Sequence, residues 1–132
     1  MKKFLFFALV LIAAIAGVKG LEETIAKNDL FEESISAVNQ GEYEIAENGF
    51  MQLKEEEYPD YVTANTLLRY VRALRDWETG DDYTKLQTVE ENIKYIPDDY
   101  IGTLGEEVHS FISKVKTEIP IIEARYNGEM EK

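Results

Sequence analysis

The chain of 132 residues has 26 Asp and Glu against 14 Lys and Arg, a formal charge of −12, with one histidine and no cysteine. This acidity argues against a broad contact with nucleic acid phosphates or anionic lipid headgroups, because both need a surplus of basic residues. The lack of cysteine excludes disulfides, thiol nucleophiles and thiolate metal sites, whereas 45% hydrophobic residues provide enough apolar material for one domain.

Residues 1–20 are predicted to be a targeting segment. Lys2 and Lys3 precede an uncharged apolar run over residues 4–18, which is the arrangement of a secretory signal. As a helix this run spans about 22 Å, less than the ~30 Å hydrocarbon core of a bilayer, and Ala14-Ile15-Ala16 matches a signal peptidase site. The length favours cleavage, and an uncleaved membrane anchor through residues 4–18 is the alternative. Both interpretations leave the N-terminus inside and export the remainder, so the protein is expected to be extracytoplasmic, either secreted or anchored.

The part beyond residue 20 is strongly acidic. It has 11 basic and 26 acidic residues, for a formal charge of −15, and no Asn-x-Ser/Thr sequon. Small exported domains of eukaryotes usually carry disulfides, so the composition favours a bacterial or phage-encoded origin.

Five amphipathic helices are predicted in this part. The first ends at Asn39 before Gly41, and begins at Glu22 or at Asp29; the second runs from Tyr43 to a point before Pro59. The third is capped by Asp60 and ends near Trp77; the fourth is capped by Asp81 or Asp82 and closed by Pro97. A Thr103–Glu106 capping box opens the fifth helix, which Pro120 is expected to kink or end, so that Ile121-Ile122 begin a short sixth segment before a flexible tail at 127–132.

This pattern predicts an all-α domain over residues 21–126. Short loops join the helices and no alternating strand pattern occurs, which favours antiparallel helical hairpins.

One helical pair resembles the tetratricopeptide repeat (TPR) family. Gly41, Tyr43, Ala46, Phe50 and Leu53 have the spacing of the second half of such a repeat. Leu30 and Ala37 fit the first helix of the repeat, and Pro59 falls near its terminal proline. A weaker echo follows about forty residues later, so the resemblance covers roughly residues 28–97. It implies about two repeats with a capping helix, and a scaffold that binds proteins or peptides. A plain five-helix bundle is the alternative.

Three arginines form the candidate partner-binding site. Arg69, Arg72 and Arg75 lie at i, i+3 and i+6 on the third helix, where Asn65 and Tyr70 would flank them. The resemblance implies that the first helix of each pair lines a groove, in which arginine would clamp an acidic or C-terminal carboxylate of a ligand. In the alternative interpretation, which is favoured, the arginines neutralise acidic residues of neighbouring helices, namely Glu55, Glu56, Glu57, Asp76 or Asp81.

Catalytic and metal sites are not expected. Glu106-x-x-His109 has the spacing of half a di-iron site, but the chain has no second histidine. No serine has a recognisable base, and no cofactor is predicted.

The sequence therefore predicts a non-enzymatic extracytoplasmic module that binds a protein or peptide. The alternative is a membrane-anchored accessory factor of the immunity or superinfection-exclusion type.

Overall fold

The computed structural model describes residues 18–130, and all regular structure in this range is helical. The predicted all-α class is thus confirmed, whereas the predicted leader lies almost entirely outside the described residues. We number the helices α1 (Val18–Asn39), α2 (Tyr43–Glu55), α3 (Tyr61–Thr79), α4 and α5 (Gly105–Met130). Helix α4 consists of α-helical Asp82–Thr84, π-helical Lys85–Val89 and α-helical Glu90–Ile93 in succession. No helix within residues 18–130 combines the length and apolar composition needed to cross a membrane.

Three of the predicted helix boundaries depend on local chemistry, and the structure confirms them. Gly41 has a φ of 77°, the left-handed conformation that ends α1. Asp60 caps α3 by accepting a hydrogen bond of 2.8 Å from the backbone N–H of Thr63. Asp81 caps α4 in the same way, through the N–H of Thr84.

The last helix differs from its prediction at both ends. It begins at Gly105 with the Leu104 carbonyl as its first acceptor, so Leu104 is the N-cap residue, one position after the predicted Thr103. Of the two effects expected of Pro120, a kink or an end, the end does not occur, because the helix continues to Met130 with Pro120 inside it. The proline lies on the exposed side, where water can hydrogen-bond the carbonyl of Lys116 that the ring leaves without a donor.

Successive helices pack antiparallel to one another, because contacts join the start of one helix to the end of the next. Tyr43 at the start of α2 bonds Glu78 near the end of α3, and Thr88 of α4 lies 2.7 Å from Asp76 of α3. The remaining pairs of helices are joined by Tyr58 with Asn28 and by Arg125 with Asp82.

The centre of the domain is α3, whose side chains are buried on most of its circumference. Leu67, Val71 and Ala73 are fully buried. Helix α5 covers one side of α3 through Phe111, whose ring centroid lies 5.6 Å from that of Tyr70 and 6.3 Å from that of Trp77. Another side, which lies between α2 and α4, is only partly covered and holds the predicted arginines.

Candidate partner-binding site

The three arginines of α3 lie between its two neighbours in the chain. We call Arg69, Arg72 and Arg75 the arginine strip; each is half-buried. Arg72 and Arg75 contact α2, whereas Arg69 contacts α4 and the residues after it. The arginine strip therefore lies on α3 between α2 and α4.

Glu47 of α2 holds two of these arginines at once. Its carboxylate oxygens lie 2.6 Å from Nε of Arg72 and 2.6 Å from Nη1 of Arg75. The Glu47 side chain is only 15% exposed, so this charge-assisted pair ties α2 to α3 in a partly desolvated setting. Arg75 also bonds its neighbour Asp76 at 3.2 Å.

Asp76 is one of the acidic residues that the charge-neutralising interpretation names, but it lies on α3 itself and not on a neighbouring helix. The second partner of Arg75, Glu47, was missed. It directly follows the buried Ala46, so its position facing α3 depends on how α2 is rotated, which the spacing of apolar residues defines only roughly.

Arg69 has a different environment from the other two. Its Nη1 donates to Oδ1 of Asn92 at 3.3 Å, and its guanidinium carbon lies 4.8 Å from the ring centroid of Tyr95. Its Nε is buried and has no hydrogen-bond partner among the described residues. Arg69 is therefore engaged with α4 and its C-terminal end rather than with an open groove.

The two predicted flanking residues lie on different sides of α3. Asn65 is half-buried, and its Oδ1 is buried without a partner among the described residues. Tyr70 is 7% exposed and packs on Phe111 in the core. Burial raises the pKa of Tyr70, and the charge of Glu107 raises it further. Tyr70 thus serves the α3–α5 packing.

A cleft of about 350 Å³ between α2 and α3 is the part of this surface best suited to a ligand. Met51 and Tyr61 are 42% and 48% exposed there, above the buried Leu68. The ammonium of Lys54 lies 5.7 Å from the centroid of the Tyr61 ring. Arg72 joins the arginine strip to this cleft, whose full lining is Met51, Lys54, Glu55, Glu57, Tyr61, Leu68 and Arg72.

A larger cleft of about 600 Å³ lies between α4 and α5. Ile93, Val115 and Ile119 form its apolar floor, and Glu90 and Glu123 stand at its rim beside Lys116. None of the sequence-predicted site residues reaches it.

The lone histidine has a structural contact. Nε2 of His109 hydrogen-bonds the backbone carbonyl of Tyr100, which fixes the loop before α5 to the first turns of that helix. Within residues 18–130, no three His, Asp or Glu side chains are grouped so that they could hold a metal ion.

No family model, curated protein or solved structure matches the chain.

Proposed function

We propose that the protein is a non-enzymatic, extracytoplasmic module that binds a peptide segment of another protein in the cleft between α2 and α3. The observation that supports this most is the position of Arg72, which is held by Glu47 and lines a cleft beside exposed Met51 and Tyr61. A positioned cation beside exposed apolar side chains suits the recognition of a peptide end.

The chemistry of the cleft favours a carboxylate as the polar group of the ligand. Glu47 occupies Nε of Arg72, and a guanidinium has further N–H donors with which it can bind a carboxylate. Lys54 supplies a second cation. Because Glu47 already fixes the Arg72 side chain, little conformational entropy is lost when a ligand binds.

The charges at the rim narrow the choice of ligand further. Glu55 and Glu57 line the same cleft and would repel a run of acidic residues. A single carboxylate that follows an apolar residue fits better, because the apolar side chain contacts Met51 and Tyr61 while the carboxylate meets Arg72. The ligand proposed is therefore the C-terminal end of a peptide chain that has an apolar last residue.

The proposal also draws on the resemblance to TPR proteins, which are peptide-binding scaffolds. In support of a TPR-like pair, the helices at residues 18–39 and 43–55 pack antiparallel, and Ala46, Phe50 and Leu53 are fully buried between helices. Phe31 contacts Phe50 edge to face, with 6.3 Å between the ring centroids.

The location outside the cytoplasm is likewise a proposal, and it depends on the apolar run at residues 4–18. Sequencing the N-terminus of the mature protein tests it. A new N-terminus after Ala16 or Gly20 favours secretion, and an intact Met1 in the membrane fraction favours an anchored accessory factor. An intact Met1 in the cytosol contradicts both forms.

The ligand class is tested with two matched peptide arrays that present apolar C-terminal residues. One array carries free C-terminal carboxylates, and the other carries the same peptides as C-terminal amides. We expect binding to a subset of the free-acid peptides and at least about tenfold weaker binding of their amides, the typical effect of a charge-assisted hydrogen bond. Arg72→Gln should abolish the difference between acid and amide. The control Lys114→Gln, at an exposed position of α5, should keep it. Equal binding of acids and amides would contradict the proposal.

A second variant separates ligand binding from charge relief. Glu47→Gln removes the carboxylate that occupies Arg72, so a binding role predicts that the free-acid peptides bind more tightly. The same change should lower the free energy of unfolding by about 1 kcal/mol, since it weakens a partly buried ion pair. Reduced stability with unchanged peptide affinity would assign Arg72 to charge neutralisation alone.

A further inference from the structure

The loop before α5 exposes one apolar side chain almost completely. Ile101 is 94% exposed, more than any other large hydrophobic residue among those described. Its neighbour Tyr100 is 5% exposed and belongs to the core. Tyr100 is thus buried while Ile101, the next residue, is exposed to solvent. We call the segment 97–104 the Ile101 turn.

Several contacts fix the shape of the Ile101 turn. The hydroxyl of Tyr100 donates to the carbonyl of Thr103 at 2.7 Å, its backbone N–H donates to the carbonyl of Pro97 at 3.1 Å, and its own carbonyl is bonded by His109. Ile101 therefore lies in a closed turn whose ends are tied to the core and to α5.

The backbone of the turn is also unusually constrained. A Cβ at Gly102 would stand 2.8 Å from the hydroxyl oxygen and 2.9 Å from ring carbons of Tyr100, so a larger residue there would displace the aromatic side chain. Leu104 has a φ of 58°, in the left-handed region that residues with a side chain rarely adopt. Strained backbone of this kind persists where surrounding contacts impose it, and it is concentrated at functional positions.

The Asp and Glu residues that flank Ile101 in the chain and line the neighbouring depression give this segment negative charge only. Asp98, Asp99, Glu106 and Glu107 are all exposed around the turn, and no Lys or Arg occurs between Lys94 and Lys114. Ile101 also forms the edge of a depression of about 450 Å³ that is lined by Tyr100, Gly102, Gly105, Glu106, Glu107 and His109. The surface is therefore an apolar projection inside an acidic border.

We propose that the Ile101 turn docks into an apolar pocket bordered by Lys and Arg on a folded partner protein. A fixed turn loses little entropy on binding, burial of an isoleucine supplies affinity, and the acidic border steers the turn towards a basic surface. The same acidity disfavours an anionic membrane and a second copy of this chain, because both would bring like charges together. None of the turn residues lines the α2–α3 cleft, so this surface is independent of the proposed peptide site.

The test places a photoreactive residue at the turn. In the full chain, p-benzoylphenylalanine replaces Ile101 or, as a control, Ile121, which is 61% exposed on α5. After irradiation in cells that produce the protein, mass spectrometry identifies each adduct and the crosslinked peptide. We expect a protein adduct specific to position 101, on a folded domain whose crosslinked site adjoins Lys or Arg residues. Adducts that do not exceed the control, or adducts with lipid or with a second copy of the chain, would overturn the proposal.

Affinity measurements with the purified captured protein decide whether the contact depends on Ile101. Ile101→Ser should weaken binding by about tenfold or more, the effect expected from losing one buried aliphatic side chain, whereas Ile121→Ser should leave affinity unchanged. The pair Glu106→Gln and Glu107→Gln should weaken binding and reduce its dependence on salt. Unchanged affinity of Ile101→Ser would overturn the proposal, as would Ile101-dependent binding to vesicles of anionic phospholipid. Far-UV circular dichroism of each variant confirms that the helices are intact.

Discussion

At the scale of single residues, Gly49 sets how closely α1 and α2 approach. A Cβ at this position would stand 1.9 Å from Oγ and 3.1 Å from Cβ of Ser34 on the facing helix. The sequence places Gly49 beside Phe50 inside a helix, where glycine is unfavourable by itself because of its conformational entropy. Its presence there is explained by the close approach of Ser34.

Replacing this glycine should therefore destabilise the helix pair. We expect Gly49→Ala to lower the free energy of unfolding by about 1–3 kcal/mol, the usual cost of overpacking, as measured by urea denaturation. The double variant Gly49→Ala with Ser34→Ala removes the closest contact and should recover part of the loss. Gly128→Ala is the matched control, since a Cβ there meets nothing within 4 Å. A Gly49→Ala variant as stable as Gly128→Ala would contradict the close approach.

The raised pKa values of two tyrosines lead to a prediction about stability at alkaline pH. Burial, together with the charge of Asp60, raises the pKa of Tyr100 to about 12. Burial and the hydrogen bond to Glu78 raise the pKa of Tyr43 to about 12 as well. In an unfolded chain both groups titrate near pH 10. The folded state therefore retains protons that the unfolded state has lost, and the free energy of unfolding should fall between about pH 10 and 12.

Tyrosinate absorbance measures this directly. Of the eight tyrosines, we expect three, namely Tyr43, Tyr70 and Tyr100, to ionise at a higher pH than an unperturbed tyrosine in the native protein. Tyr100→Phe and Tyr43→Phe should each remove one late step. A single transition near pH 10 while the helical circular dichroism signal persists would show that these three hydroxyls are not held as described.

At the scale of helices, the sequence predicts those helix boundaries that are determined by residues close to the helix end. The stop at Gly41 and the caps at Asp60 and Asp81 depend on residues within three positions of the helix end, so the pattern locates them well. The π-helical turn Lys85–Val89 could not be predicted in this way. In this turn Val89 is buried, and the Thr88 hydroxyl lies 2.7 Å from Asp76 on α3 and 2.9 Å from the Thr84 carbonyl. The arrangement is favoured by packing against α3, which is a tertiary contact and not a local one.

The candidate site shows the same limit. The i, i+3, i+6 spacing predicts that the three arginines lie near one another on α3, and each is half-buried there. It does not show that Glu47 lies across from two of them, nor that Tyr70, one residue after Arg69, turns into the core. Both facts depend on which sides of α3 are covered by α2 and α5. Apolar side chains cover most of the circumference of α3, so their pattern does not show which helix packs on which side.

The proline inside α5 leads to a prediction about that helix as a whole. Proline in a helix interior costs about 3 kcal/mol relative to alanine, and the helix continues from Gly105 to Met130 with Pro120 on its exposed side. Pro120→Ala should therefore raise the free energy of unfolding by about 1–3 kcal/mol, and it should slow hydrogen exchange of the amides after position 120. Ile121→Ala, at the exposed neighbour, is the control and should change stability little. No gain from Pro120→Ala would indicate that the helix ends at Pro120, which is one of the two effects that the sequence predicts.

At the scale of the molecule, the largest interhelical contacts join helices that are neighbours in the chain. Helix α3 is the link between the α1–α2 pair and the α4–α5 pair, and its two flanks are covered by different partners. This organisation leaves the cleft between α2 and α3 and the Ile101 turn available as separate surfaces of one small domain.

The net charge predicts how the whole domain responds to salt. The formal charge of −15 beyond residue 20 acts against the compact state through self-repulsion. Salt shortens the Debye length from about 30 Å at 0.01 M to about 8 Å at 0.15 M, which screens the repulsion between distant carboxylates more than the contact at 2.6 Å between Glu47 and Arg72. We therefore expect the melting temperature to rise by several degrees over this range, which corresponds to about 1 kcal/mol in a domain of this size.

A triple variant with Gln at the exposed positions Glu32, Glu33 and Glu44 should be more stable at low salt and less sensitive to added salt. A melting temperature that falls with salt would mean instead that native ion pairs outweigh the repulsion, and the triple variant would then give no gain at low salt.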